Sequence, residues 1–249
     1  MDAEYAKNYQ QLYENHWWWR AREELIVAVL RTWIPRGEKA SVLDIGCGNG
    51  LFFDRLGEFG DVEGIEADAS VVTADGSHRD RIHIAPFTPD YDTDKRYDLI
   101  LMLDVLEHLS NPADTLHRAV ELLHDDGIVL ITVPAFDLLW TVHDDHNHHL
   151  KRYTKRSFAA LARQSGLRIH QDRYCFHWVF FAKLAVRLKE TLRIGSNDIA
   201  DSPVSPLNRL LFHATRFDEF VLGRLPVPFG SSLLVVGSKP APEGDNACR

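Results

Sequence analysis

Ser41-Val42-Leu43-Asp44-Ile45-Gly46-Cys47-Gly48-Asn49-Gly50 is the stretch on which the reading of the chain turns. Its first half is a short apolar run of the kind that forms a buried strand, and three glycines then alternate with small residues. Leu51-Phe52-Phe53-Asp54-Arg55-Leu56 resumes with helical spacing. A strand, a glycine turn and a helix bring backbone N–H groups close to a ligand, because glycine has no Cβ in the way. Asp44 stands at the end of the strand. Glu66 closes the next apolar run, Val62-Glu63-Gly64-Ile65, about 20 residues beyond Gly46. A dinucleotide-type fold places there the acid that grips a ribose diol.

Leu51 takes the place of the third glycine of a GxGxxG pattern. A pyrophosphate site uses that glycine for close helix–strand packing. Its absence, with a carboxylate at Asp44, points away from a phosphate-rich ligand and toward a zwitterionic nucleoside. The stretch resembles motif I of the class I S-adenosylmethionine (SAM)-dependent methyltransferases. The resemblance implies SAM as cofactor, held by Asp44, Gly46, Cys47, Gly48, Gly50, Glu66 and Ala67.

From Ser41 to Leu130 strands and helices alternate, the signature of a parallel sheet with crossover helices. Strands are expected at 41–45, 62–66, 81–85, 97–103 and 127–133, and helices near 50–58, 68–75 and 112–123. The fourth strand runs into Leu103-Asp104-Val105-Leu106-Glu107-His108, which is similar to motif IV of the same methyltransferases. Leu103 and Asp104 would therefore line the cofactor pocket at the topological switch point. Glu107 and His108 would form a fixed pair, with His108 either structural or a general base. In the segment after the third strand the resemblance lays Phe87 along the adenine. His124-Asp125-Asp126-Gly127 reads as a turn into the fifth strand.

Residues 1–35 read as helix, with an apolar stripe through Tyr5, Tyr9, Leu12, Tyr13 and Trp17 up to a break at Pro35-Arg36-Gly37. Trp17, Trp18 and Trp19 cannot share one face, because successive helical residues diverge by about 100°. The segment is either an aromatic clamp on the sheet or a lid that brings Arg22 or Arg20 to the methionyl carboxylate. Similar methyltransferases of the ubiquinone-biosynthesis type carry such an aromatic-plus-arginine segment.

Past the fifth strand, Pro134 to Tyr153 holds four of the chain's 13 histidines. Three readings compete there. The loop could hold a metal, though no helical His pair with a general-base Glu supports this, and no metal is expected. It could be catalytic, with His143 or His149 taking a proton and Asp144 orienting it. Or it could be structural, with His149, Arg152 and Tyr153 gathered on Asp144. The candidate catalytic residues are thus His143, His149, His108 and Asp144, and the candidate acceptor-binding residues Trp19, Trp140 and Tyr153. The pattern of Trp, His-Asp, His and Arg-Tyr also resembles a signature of one broad methyltransferase group.

A helix at 156–165 and a sixth strand from Leu167 to Tyr174 follow, and Ser231 to Lys239 is a last strand expected antiparallel between the fifth and sixth. Between them two helical stretches, 178–193 and 206–222, are joined by a loop. They would serve as core or a dimer interface, or else as a roof over an acceptor pocket or an apolar ramp for a lipid-linked acceptor.

Net charge of −8, with 45% hydrophobic and 26% charged residues, describes an ordinary globular protein without the basic face that general nucleic-acid binding requires. Three cysteines without CxxC spacing suit a reduced, cytoplasmic compartment. No signal peptide or spanning segment is expected, which leaves peripheral membrane contact open. The fold expected is α/β and Rossmann-like, with a seven-stranded, mostly parallel sheet. Its parts are a helical lid (1–36), a SAM-binding core (37–174), a helical insertion (175–230), a last core strand (231–240) and a disordered tail (241–249). The function expected is methyl transfer to a small-molecule acceptor, at O or N in preference to C, by a monomer or homodimer. The rivals are a NAD-binding oxidoreductase and a non-catalytic SAM-fold binding protein.

Overall fold

Leu43, Ile45, Ile100, Met102, Val129 and Ile131 pack on one side of a central sheet, and Val42, Leu99, Leu101, Ile128 and Leu130 on the other. Successive strand residues point to opposite faces, so strands covered on both sides read as unbroken apolar runs. The computed structural model describes residues 13–34, 39–192 and 205–240. Seven strands lie in the order β3-β2-β1-β4-β5-β7-β6. They are β1 (Ala40–Ile45), β2 (Gly60–Glu66), β3 (Ile82–Ile84), β4 (Tyr97–Leu103), β5 (Leu123–Pro134), β6 (Arg168–Cys175) and β7 (Ser232–Ser238). All pairings are parallel except those of β7, which runs antiparallel to β5 and β6 as expected. The chain order reverses between β1 and β4, and the site described below lies at the carboxyl ends of these strands.

One face is covered by α1 (Trp17–Trp33), through Leu25, Ile26, Val29 and Leu30, and by the short α2 (Phe53–Leu56). The other is covered by α3 (Pro112–Glu121) and α5 (Lys155–Gln164), through Leu116, Val120, Phe158 and Leu161. The small α4 (Val142–His146) lies in the histidine-rich segment. The expected insertion forms α6 (His177–Thr191) and α7 (Ser205–Val221), tied by Trp178 Nε1 donating to Thr215 Oγ1 at 3.0 Å. Phe181, Leu188, Leu210, Phe217 and Phe220 on these two helices are more than half exposed. Among the described residues no helix is long and apolar enough to cross a membrane.

Several expectations are corrected. The N-terminal helix does not run through His16. That residue is extended at φ −77°, ψ 131°, and its ring caps α1 by accepting the Trp18 N–H at 3.2 Å. The three tryptophans diverge as their spacing requires: Trp17 meets Trp178 at 5.4 Å, Trp18 meets Phe176 at 4.4 Å and Trp19 meets Tyr13 at 5.6 Å between ring centroids. No helix forms at 68–75. Asp68 accepts the Ser70 N–H at 2.8 Å and Asn49 accepts the Thr73 N–H at 3.0 Å, and such side-chain bonds compete with helical ones. The helix expected at 50–58 shrinks to the four residues of α2. Residues 124–127 do not precede β5 but swell within it, where Tyr97 pairs Leu123 and Leu99 already pairs Ile128. The expectations for Tyr5, Tyr9, Leu12, the break at Pro35, the loop at 195–203, and the tail with Cys248 lie outside the described residues.

Candidate functional site

The turn after β1 needs glycine for two separate reasons. Gly46 has φ +75°, and a Cβ there would stand 2.8 Å from Val105 Cγ2. Gly48 has φ +56° with open space where its Cβ would point. The Gly48 N–H donates to Glu66 Oε2 at 2.9 Å, and the Asp68 N–H donates to Glu66 Oε1 at 2.9 Å. The acid closing β2 is thereby fixed across the glycine turn before any ligand arrives. Asp44 is 4% exposed, and burial pushes its carboxyl up to about 7, with Arg22 opposing and Glu66 adding to the rise. Burial also raises the Cys47 thiol, which leaves it a packing residue and not a nucleophile.

Arg22 crosses from α1 to the end of β4. Its Nη2 lies 2.7 Å from Asp104 Oδ2 and 3.2 Å from Thr132 Oγ1, which itself donates to Asp104 Oδ1 at 3.1 Å. Three elements thus meet at one carboxylate. Asp104 holds φ +58°, an unusual conformation for a residue with a side chain, and its N–H donates to the Thr132 carbonyl at 2.9 Å. The guanidinium also lies 5.6 Å from the Trp19 ring centroid. Arg22 therefore reaches the expected crevice, with Asp104 as its partner there. Leu103 is half-buried beside it, Ala67 is exposed just past β2, and Gly50 (φ +70°) ends the glycine turn against His78, Ile82 and Phe53. Phe87 packs on Tyr91 at 5.3 Å, with its ring joined to the core under α3 and α5.

A cavity of about 630 Å³ opens between α1 and the outer side of the glycine turn, lined among others by Tyr13, Glu23, Asn49, Thr73 and His78. Asp44, Glu66 and Asp104 do not line it. It is a different hollow from the crevice at the strand ends.

The histidine-rich segment is organised by a fully buried carboxylate. Asp144 accepts from Arg152 Nε at 2.9 Å and Nη2 at 2.8 Å, from the Thr141 N–H at 2.9 Å, and from His149 Nδ1 at 2.8 Å. These bonds hold its carboxyl well below the usual range against the burial that would raise it. Arg152 is equally buried and also donates to the Ala135 carbonyl at 3.0 Å. Asp144 can therefore orient His149 but cannot touch a substrate. The structural reading of the segment is right for Arg152 and His149 and wrong for Tyr153, whose buried hydroxyl donates to the Leu106 carbonyl at 3.0 Å. That burial removes Tyr153 from the acceptor-binding set. Trp140 is half-buried and donates to Asp145 Oδ1 at 2.9 Å. His143 is exposed on α4, and His108 meets His149 edge to face at 4.9 Å.

Sequence reasoning gave no role to two residues here. Thr132 is a lone hydroxyl in an otherwise apolar strand, a visible signal of a polar task. Lys183 interrupts the longest apolar run. Burial, with Arg152 adding to it, lowers its amine to about 8, while Asp144 and Asp104 oppose. Glu107, expected in a pair with His108, is completely buried, which Leu106-Glu107-His108 does not announce.

The chain matches a family profile described as "Methyltransferase domain" over residues 17–172. It is 33% identical over 102 residues to the ubiquinone biosynthesis O-methyltransferase of Rhodopseudomonas palustris, an alignment covering 38% of this chain and 40% of that protein. The chain thus spans about two fifths of the length of the curated relatives it matches. Its fold is similar to a SAM-dependent methyltransferase from Archaeoglobus fulgidus, with a TM-score of 0.54 at 17% identity over 87% of this chain and 94% of that one. It is also similar to phosphoethanolamine N-methyltransferase 2 of Haemonchus contortus in complex with SAM, with a TM-score of 0.55 at 16% identity over 87% of this chain and 52% of that one.

Proposed function

Since this chain belongs to the methyltransferase-domain family, we propose that it is a SAM-dependent enzyme and methylates a hydroxyl oxygen of a small, apolar acceptor. The observation that carries the cofactor side is Glu66, fixed across the glycine turn by the Gly48 N–H at 2.9 Å with its remaining lone pairs free for a ribose diol. Asp44 and the Arg22–Asp104 pair then offer a carboxylate and a guanidinium to the methionyl amino and carboxylate groups.

In-line displacement needs the acceptor oxygen and the methyl carbon aligned, and much of the acceleration comes from that alignment. A hydroxyl must also lose its proton near neutral pH. His108 stands one short turn beyond Asp104, His149 meets it edge to face from the histidine-rich segment, and these are the groups placed to assist. The apolar side chains exposed on α6 and α7 support an apolar acceptor. The relatives named as O-methyltransferases of ubiquinone biosynthesis support oxygen as the methylated atom.

The test is incubation of the purified protein with SAM carrying a deuterated methyl group and an extract of its host, followed by mass spectrometry. A labelled methyl on a hydroxylated small molecule is expected. Label found only on protein or nucleic acid would overturn the reading.

A further inference from the structure

Phe180, Lys183 and Glu190 lie on one face of α6, because steps of three and seven residues return nearly to the same side of a helix. Two of the three are anchored. Phe180 meets the Phe136 ring edge to face at 5.8 Å, just past the end of β5. Glu190 Oε2 accepts the Val142 N–H at 3.4 Å, at the start of α4. The face between these anchors is turned to the histidine-rich segment, and Lys183 stands on it one turn after Phe180.

Lys183 is half-buried, and among the described residues its amine has neither a hydrogen bond nor an ion pair. The charges that bear on it are those of Arg152, Asp144 and Asp104. All three are engaged elsewhere. Arg152 Nη2 lies 2.8 Å from Asp144 Oδ2, and Asp104 Oδ2 lies 2.7 Å from Arg22 Nη2. His143 also feels the amine: burial first and Lys183 next lower its ring. Among these residues the Lys183 ammonium is thus the charge left without a counter-ion. A lysine that merely covered apolar surface would carry its amine out to water. Here burial is the main cause that brings the amine down to about 8, so the charge is desolvated with no anion at hand.

Phe136 sets the shape beside it. It is held at φ +56°, a costly conformation for a residue with a side chain, and its ring stacks on Tyr174 at 4.7 Å as well as on Phe180. An aromatic wall and an unpaired cation therefore stand together at the carboxyl ends of the strands.

We propose that Lys183 sets acceptor specificity by pairing its ammonium with a carboxylate on the acceptor, whose apolar body lies against Phe136 and Phe180. This deepens the methylation reading above and rests on it. One compact cation, with the acids Asp104 and Asp144 near it, suits a monoanion better than a phosphate dianion, which calls for arginine forks or a helix N-terminus. The acceptor then carries two separate groups, a hydroxyl attended by His108 and His149 and a carboxylate held by Lys183. The pairing has a pH signature. A carboxylate draws the amine back toward its ordinary value near 10.4, so above about pH 8 the free protein must take up a proton in order to bind. His143, held below its ordinary value, is already neutral there, and Asp144, held below its own, is already charged.

The test is calorimetric titration of the full chain with benzoate and with benzamide, its neutral isostere. Wild type at pH 7 is expected to bind benzoate about tenfold more tightly, the worth of one hydrogen bond to a charged group. Lys183→Met should erase that preference with benzamide affinity unchanged, and Lys183→Arg should restore it. Affinity for benzoate should fall in wild type as pH rises past about 8 and stay level in Lys183→Arg. Circular dichroism checks that each variant keeps the fold. Absent saturable benzoate binding in wild type, a preference that survives in Lys183→Met, or tighter binding of phenyl phosphate than of benzoate overturns the assignment. The product labelled in the host extract gives a second reading, since an anion exchanger at pH 7 should retain it. A labelled but neutral small molecule defeats this inference alone. No labelled small molecule at all defeats the methylation reading and leaves Lys183 to be judged by the benzoate titration.

Discussion

Replacing Asp144 with asparagine would leave Arg152, buried at 4% exposure, facing a neutral amide. Both guanidinium nitrogens that now donate to the carboxylate, at 2.9 and 2.8 Å, would share one acceptor oxygen. Removing one partner of a buried ion pair costs about 3–5 kcal/mol, far more than the net worth of the pair, because the remaining charge stays desolvated. For a chain of this length about 2 °C of melting temperature corresponds to each kcal/mol, so a fall of roughly 6–10 °C is expected by scanning calorimetry at pH 7. The double variant Asp144→Leu with Arg152→Met should recover much of that loss, since it buries no lone charge. The pH dependence has a defined sign. Asp144 is held below its ordinary value, so its contribution is present above the unfolded carboxylate pKa near 4 and fades as pH falls through the lower folded value. The wild-type advantage over Asp144→Asn should therefore shrink only in acid. A fall of less than 2 °C at pH 7, or an advantage that grows on acidification, would refute the account of this segment.

Two further outcomes follow from the crevice. Burial pushes the Asp44 carboxyl up to about 7, so its contribution to stability is full below the unfolded carboxylate pKa of about 4 and is lost as pH rises through 7. That is of order 4 kcal/mol over the window, and the ligand-free Asp44→Asn protein should gain melting temperature relative to wild type between pH 4 and 8. Gly48→Val, which places a branched side chain at φ +56° in the open space of the turn, and Glu66→Ala should each abolish measurable SAM binding by calorimetry. Micromolar affinity retained in both would remove the glycine turn from the cofactor site.

The parallel core and the antiparallel last strand could be read from the chain because a sheet covered on both faces writes itself as apolar runs, as β1, β4 and the second half of β5 do. The glycine turn and its bond to Glu66 were legible for a related reason: they depend on backbone shape and on spacing of about 20 residues, both local in sequence. What stayed hidden depends on contacts between distant segments. Whether 68–75 coils or turns is decided by Asn49 reaching Thr73, and the partner of Arg22 by an approach across 82 positions to Asp104. Tyr153 carries a polar tip that suits either a pocket or a satisfied core, and only the Leu106 carbonyl at 3.0 Å decides for the core. Glu107 is the extreme case, since charge in a sequence argues for the surface and only folding reveals its enclosure.

Arg22 rides on a helix whose following turns, Leu25 to Leu30, are sealed into the sheet's cover. The guanidinium is consequently a fixed post and not a tethered flap, held at 2.7 Å from Asp104. A single residue inserted between Arg22 and Leu25 would swing that post by about 100° around the helix axis while leaving the sheet intact. The Arg22–Asp104 bridge and the packing of the first helix are in this way one mechanical part, and a change in either is felt by the other.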